Sequence, residues 1–300
     1  MSVSTSRFVV GWDSSPAATA ALDWALTAAA AAGGTVHLVH AVLAVPPGPY
    51  GDMSLDQGVY DDIANAVIAL GVEHARERVP TVSITSERRY RGVAGALLDA
   101  TGPGDVIVIG SRSHGGFAGL LVGSTAVQVA THAQTPVVIV HTPGSRSRGY
   151  DPDGPILVGI DGTALSDAAL EFALVLGAQM HRPVQAVHTW TLPPVELVPP
   201  SVITDAEVDA IRQDQERLAA ESVAGWQEMF PDVTVSTSVV QGVPASVLLA
   251  MSERASLVVV GTRGRGEFRG TILGSTSNHV LHESGCPVAV ARQHHHALAH

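Results

Sequence analysis

Lysine is absent from this chain, so all 17 of its Lys-plus-Arg cations are arginines. That absence excludes chemistry needing a lysine: a P-loop NTPase, a protein kinase, a pyridoxal Schiff base. A single cysteine, Cys286, excludes an intrachain disulfide and a cysteine-rich metal site. Aromatic residues are 4% and charged residues 15% of the sequence, against 46% hydrophobic, which is too apolar for disorder and enough for a sizeable core. Cations are outnumbered by 28 Asp plus Glu, giving a formal charge of −11 that weighs against nucleic acid or an anionic membrane as partner. No apolar run approaches the roughly 18 residues of a membrane span. Met1 to Arg7 is short and polar rather than signal-like. The expectation is a soluble cytoplasmic protein.

What is present is a repeat. FVVGWDSSPAATAALDWAL (Phe8 to Leu26) matches ILVGIDGTALSDAALEFAL (Ile156 to Leu174), and VHLVHAV matches VQAVHTW. YRGVAGALLDAT matches VQGVPASVLLAM, and Asp105 to Val140 matches Ser256 to Ala291. The offset is 148 between Asp13 and Asp161 and 151 between Gly110 and Gly261, a whole-domain duplication with small insertions. At roughly 150 residues per domain, 300 residues accommodate both copies. The segment HTPGSRSRGYDPDGP between them reads as an exposed linker. The boundaries expected are a first domain over 1–143, a linker over 144–154, a second domain over 155–293 and a His-rich tail over 294–300.

Within each half, short β-branched runs (FVVGW, VHLVHAV, DVIVIG, PVVIV) alternate with longer helix-forming stretches such as Pro16 to Ala32 and Thr204 to Phe230. Thr204 with Glu207 three residues on has the pattern of a capping box. Alternating strands and helices predict an α/β fold with a parallel sheet covered on both faces, twice over. The Pro-rich stretches Leu43 to Leu55 and Thr191 to Ile203 predict mobile loops.

Ligands of such sheets bind beyond the carboxyl ends of the strands. Asp13 and Asp161 each follow a first strand directly, where a carboxylate can accept ribose hydroxyls or help hold a divalent cation. The bland alternative is that each aspartate caps the next helix. Later in the second half GTRGRGEFRGTILGST (Gly261 to Thr276) leaves a strand and enters a helix at Gly274-Ser275. Its glycines open main-chain N–H groups to an anion, and Ser275, Thr276, Arg263, Arg265 and Arg269 add donors and positive charge. The alternative is a Gly-rich turn with solvated arginines.

The spacing Gly261-x-x-Gly264, nine residues, then Gly274-Ser275 resembles the G-x2-G-x9-G-(S/T) signature of ATP-binding universal stress proteins. With VGIDGTALSDAAL, QGVPASVLL and CPVAV, the resemblance spans both halves and points to the tandem type common in actinobacteria. It implies two doubly wound domains, each a five-stranded parallel sheet of order 3-2-1-4-5, that bind adenine nucleotide. Asp161 with Gly162 is then expected at the ribose or at a nucleotide-bound Mg²⁺. Thr189 is expected at adenine, with Gly242, Val243 and Pro244 closing nearby. Gly261, Arg263, Gly264, Arg265, Gly274, Ser275 and Thr276 are expected at the phosphates. The first half offers Asp13, Ala41, Gly92, Gly110, Arg112, Gly123, Ser124 and Thr125, with Asp13 as its Mg²⁺ residue. There Ser113 replaces the signature's second glycine and Ala94 replaces Pro244, so the second site fits ATP better.

Because Ser113 alters one loop, AMP or cyclic AMP is an alternative ligand. A nucleotide-dependent hydrolase or adenylyl transferase is the alternative enzyme, although no acid/base pair can be argued from spacing, which leaves at most slow ATP hydrolysis. The resemblance also implies that the last strands pair as sheet edges within the chain, giving a pseudo-dimer, with a homodimer as a further step. His40 and His188 read as strand histidines satisfied locally, Trp24 and Phe172 as core, Cys286 as a small residue before a strand, and His294, His295 and His296 as tail.

Overall fold

The computed structural model describes residues 7–43, 57–111, 122–141, 150–192, 204–262 and 273–292. The chain divides into two compact units, Met1–Arg146 and Ser147–His300.

The first unit runs β1 (Arg7–Gly11), α1 (Pro16–Ala32), β2 (Thr35–Ala41), α2 (Gln57–Arg78), β3 (Ser83–Arg89), α3 (Val93–Ala100), β4 (Asp105–Gly110), α4 (Ser124–His132) and β5 (Val137–Val140). β1 pairs with β2 and β4, β2 with β3, and β4 with β5, all parallel, so the order is 3-2-1-4-5. The second unit repeats this with β6 (Ile156–Ile160), α5 (Ala164–Met180), β7 (Val184–Trp190), α6 (Asp205–Met229), β8 (Val235–Gln241), α7 (Pro244–Ser252), β9 (Leu257–Gly261), α8 (Ser275–Glu283) and β10 (Val288–Ala291). Its pairings, β6 with β7 and β9, β7 with β8, and β9 with β10, give the same order within the unit.

The strands form where β-branched residues cluster, and the central ones are covered on both faces. All six residues of β4 and all four of β5 are buried, and each such Val or Ile contributes roughly 1.5–3 kcal/mol. Side chains alternate between the faces. Phe8 meets Trp24 of α1 edge-on, with ring centroids 6.2 Å apart, while Gly11 turns to the opposite face beside Leu97 of α3. Gly159 does the same beside Leu248 of α7. In α1 the buried stripe is mostly alanine (Ala17, Ala18, Ala21, Ala25, Ala28, Ala29), which lets the helix lie close to the sheet.

Helix ends follow local chemistry. Ser15 caps α1, with Pro16 opening the first turn, and Gly33 closes it in the left-handed region (φ 63°). Thr163 caps α5, and His181 closes that helix with φ 53°. Thr204 and Glu207 form the expected capping box on α6. The expected core position of Trp24 needs correcting: it is half-buried, because its residue lies at the margin of the alanine stripe, whereas Phe172 is buried. Most of the two Pro-rich stretches, most of the inter-unit segment and His294 to His296 lie outside the described residues.

Candidate functional site

In a parallel sheet every strand ends on the same edge, and so every crossover helix begins there. In the second unit that edge holds a cavity of about 700 Å³, within the usual range for small-molecule and cofactor sites. Its walls come from the end of β6 (Gly159, Ile160, Asp161), the end of β7 (Val187 to Thr191), α6 (Ile211, Gln215), α7 (Pro244, Leu248), the end of β9 (Val260, Gly261) and the start of α8 (Leu273 to Asn278).

Asp161 is not the cap of α5. Thr163 is the cap, and its main-chain N–H and hydroxyl both donate to Asp161 Oδ1, at 3.0 and 2.6 Å. Asp13 stands likewise, with its Oδ1 accepting from Ser15 N–H at 3.0 Å while Ser15 caps α1. The capping alternative therefore fails in both units, and in the second the carboxylate is held at the cavity wall. Its charge reaches Asp167 on the first turn of α5. Burial raises the Asp167 carboxyl above the ordinary carboxylate range, and the Asp161 charge raises it further.

At the other wall α8 begins with Gly274 (φ −66°, ψ 160°), which has no side chain to cap it. The first-turn amides therefore lack the side-chain acceptor that Ser15 and Thr163 give to α1 and α5. Ser277, buried in that turn, donates its hydroxyl to Gly261 O at 2.6 Å, and Gly274 N–H donates to Thr262 O at 2.6 Å. These two bonds fasten the start of α8 to the end of β9. Uncapped amides with Ser275 and Thr276 at a helix N-terminus have the donor set of an anion seat.

Of the expected second-unit residues, the cavity brings together Asp161, Thr189, Pro244, Gly261, Gly274, Ser275 and Thr276. Gly162, Gly242 and Val243 are not among its lining residues. Val243 is 60% exposed, because it precedes α7 with its side chain outward. Gly242 is required by its own backbone, at φ 156°. Arg263, Gly264, Arg265 and Arg269 lie outside the described residues. The residues that sequence reasoning missed are Ile211, Gln215, Trp190 and Leu248, together with the pairing of His188 to Gln215. The burial of His188 (4% exposed) between Ile160 O and Gln215 does confirm its local satisfaction.

The first unit differs at the matching edge. Trp12 occupies the place of Ile160, and its indole is buried, with Nε1–H donating to Val67 O on α2 at 2.7 Å. Gly71 on α2 makes room for it: a β-carbon there would lie 2.7 Å from the indole and 2.9 Å from Leu38. The indole thus fills the interval between sheet and α2 that the second unit leaves open between Ile160 and α6. His40 keeps its place, with Nδ1 2.8 Å from Trp12 O.

Gly110, expected at the phosphates, is required by packing, since a β-carbon there would meet Ala17 O at 2.5 Å. Gly92 has open space at its β-carbon, and Gly123 caps α4 without a side chain as Gly274 caps α8. Ala41 ends β2, and Ser124 and Thr125 open α4. Arg112 and Ser113 lie outside the described residues.

Fold and site together define a tandem protein of the doubly wound α/β class, with a cavity where that class takes its ligands. The universal stress protein family model matches residues 5–141 and again 154–292, and the chain belongs to that family. Universal stress protein Rv2005c of Mycobacterium tuberculosis is 36% identical over 294 residues, covering 95% of this chain and 96% of its own. A universal stress protein of Mycolicibacterium smegmatis is 34% identical over 295 residues with the same coverage. The crystal structure of a universal stress protein from Archaeoglobus fulgidus shares the fold, with a TM-score of 0.67 at 20% identity over 97% of this chain and 99% of that one. Among the described residues, no helix is long and apolar enough to cross a membrane.

Proposed function

We propose that the second unit binds an adenine nucleotide, ATP, and that the protein acts as a nucleotide-dependent regulator in the stress response. The observation that carries this reading is one cavity walled by Asp161 on one side and by the uncapped start of α8 on the other. The glycine spacing from Gly261 to Gly274 resembles that of ATP-binding family members and supports the same ligand. A nucleotide's phosphates match the amides and hydroxyls of Ser275 and Thr276, and its ribose or a phosphate-bound Mg²⁺ matches the carboxylate of Asp161. Thr189 and Pro244 then stand beside the base.

Asp161 is the one carboxylate among the described residues lining the cavity, so no carboxylate pair is available there for acid/base work. Binding, with hydrolysis at most slow, is the activity these residues fit. In the first unit the Trp12 indole takes up room, and the second unit is the site of choice.

Trp190 lines the cavity and reports on it. Titrating the full chain with ATP, with and without Mg²⁺, is expected to change its emission saturably, and Trp190→Phe is expected to remove most of the change. Gly274→Val keeps a backbone that valine adopts without strain (φ −66°, ψ 160°) and puts a branched side chain into the anion seat. It is expected to weaken binding at least tenfold. No saturable change by fluorescence or calorimetry, or unaltered affinity in Gly274→Val, overturns the reading.

A further inference from the structure

Helix α6 turns a charged face to solvent, where Arg212 pairs with Asp209 and Glu216, and Arg217 with Asp214 and Glu221. Two residues one turn apart face the other way into the cavity: Ile211 and Gln215. We propose that Gln215, oriented by His188, reads the base edge of the nucleotide and selects a 6-amino purine over a 6-oxo purine. This rests on the nucleotide reading above and extends it to the base.

The hydrogen bonds of His188 set the orientation of the Gln215 amide. Its Nδ1 lies 3.1 Å from the main-chain oxygen of Ile160, and its Nε2 lies 2.8 Å from the Gln215 amide. A carbonyl oxygen only accepts, so the proton of a neutral ring sits on Nδ1 and Nε2 is left as an acceptor. Gln215 must then offer its –NH2 to the ring. The amide end nearest Nε2 is placed as Oε1, and a half-turn of the amide, which exchanges two ends of nearly equal size, satisfies both partners. The amide oxygen is thereby turned away from the ring, as an acceptor on the cavity side of α6.

Sheet order places this acceptor at the far end from the anion seat. β7, which carries His188, lies beside β6, which carries Asp161, and β6 lies beside β9, whose end is fastened to α8. Two strand spacings separate β7 from β9, about 10 Å, which leaves the ribose at Asp161 and the base toward α6. An exocyclic amine at C6 donates to the Gln215 oxygen, while a 6-oxo group sets acceptor against acceptor. In the first unit the Trp12 indole occupies the corresponding interval, so the arrangement belongs to the second unit.

The test compares ATP with ITP, which differ in the group at C6 and in the proton carried by N1, on the full chain. Wild type is expected to bind ATP roughly tenfold or more tightly than ITP, the size of one good hydrogen bond in a desolvated site. Gln215→Leu is expected to bring the ratio within about threefold while ATP still binds through its phosphates. Gln215→Met, close to glutamine in length but without the amide, is expected to narrow the ratio as leucine does, giving a second variant should leucine disturb folding. His188→Phe, which frees the amide, is expected to lower the ratio without abolishing binding.

Equal wild-type affinities, or a full preference surviving in Gln215→Leu, overturn the inference and leave nucleotide binding standing. A ratio unchanged in His188→Phe removes the positioning role of His188. Wild type binding neither nucleotide overturns the underlying reading, and this one with it.

Discussion

Gly110→Ala is the sharpest test of why this glycine stands where it does. A β-carbon built on Gly110 lies 2.5 Å from Ala17 O, 2.6 Å from its carbonyl carbon and 2.8 Å from its Cβ. Two are main-chain atoms and the third is a Cβ fixed to the main chain, all in the first turn of α1, so no rotamer change can move them. The helix itself is fixed there by the Ser15 cap and the buried alanine stripe. Reaching an ordinary contact requires roughly 1 Å of displacement between two packed elements, and overpacking of this kind costs about 1–3 kcal/mol. With a rigid partner the upper half of that range applies, which at about 2–4 °C per kcal/mol lowers Tm by roughly 4–12 °C. The control is Gly92→Ala, where the β-carbon meets nothing within 4 Å and only the N-cap of α3 changes, so the loss should stay below about 1 kcal/mol. Both variants are compared with wild type by thermal and urea unfolding followed by circular dichroism, with no nucleotide present. If Gly110→Ala unfolds where Gly92→Ala does, the packing argument is refuted.

Three further outcomes are expected. Asp161→Asn removes a charge that raises Asp167, so the Asp167 carboxyl, followed by NMR titration, should titrate at lower pH than in wild type. Because that carboxyl is raised in the fold, the native state binds more protons just above the ordinary carboxylate range, and its contribution to stability falls as pH rises through that window. Cys286 is fully buried with its thiol pushed up to about 11, so at pH 8 a thiol reagent should label it only on unfolding; labelling at the rate of a free thiol would contradict the burial. His181→Gly should raise stability by about 0.5–1 kcal/mol, because the residue closing α5 sits in the left-handed region (φ 53°) that Gly33 occupies without a side chain on α1; denaturant unfolding with an unchanged or lower midpoint would count against strain there.

Much of the fold was legible because its signals are local. α1 was read from Pro16 to Ala32, α6 from Thr204 and Glu207, and four strands of the first unit from β-branched runs, whereas β3 (Ser83–Arg89), mostly polar, carried no such signal. The repeat then supplied the second copy of every expectation. The site was legible where a motif carries it: Asp161, Thr189, Gly261 and the Gly274–Thr276 turn do meet at one cavity. Gln215 was not legible, because it sits mid-helix in a stretch of charged residues, and only the packing of α6 over β7 shows which side faces in. The same holds for Gly110, whose neighbour Ala17 is distant in sequence, so a glycine required by packing was indistinguishable from one required by a phosphate. Trp12 has the opposite lesson. It reads as an unremarkable strand-end aromatic until Gly71, 59 positions later, is seen to make room for it.

The one-way direction of the strands has an electrical consequence. Peptide dipoles add along each helix, leaving roughly half a positive charge at its beginning and half a negative one at its end. In a unit where all helices begin at the same sheet edge, these positive ends gather at one rim, beside the carboxylates of Asp161 and Asp167, on a chain whose formal charge is −11. The net charge opposes an anion at long range, while helix-end amides attract one only close in, at that rim. Raising the ionic strength should therefore screen the long-range repulsion more than the short-range attraction within the rim, so that modest salt speeds the arrival of a polyanion instead of slowing it.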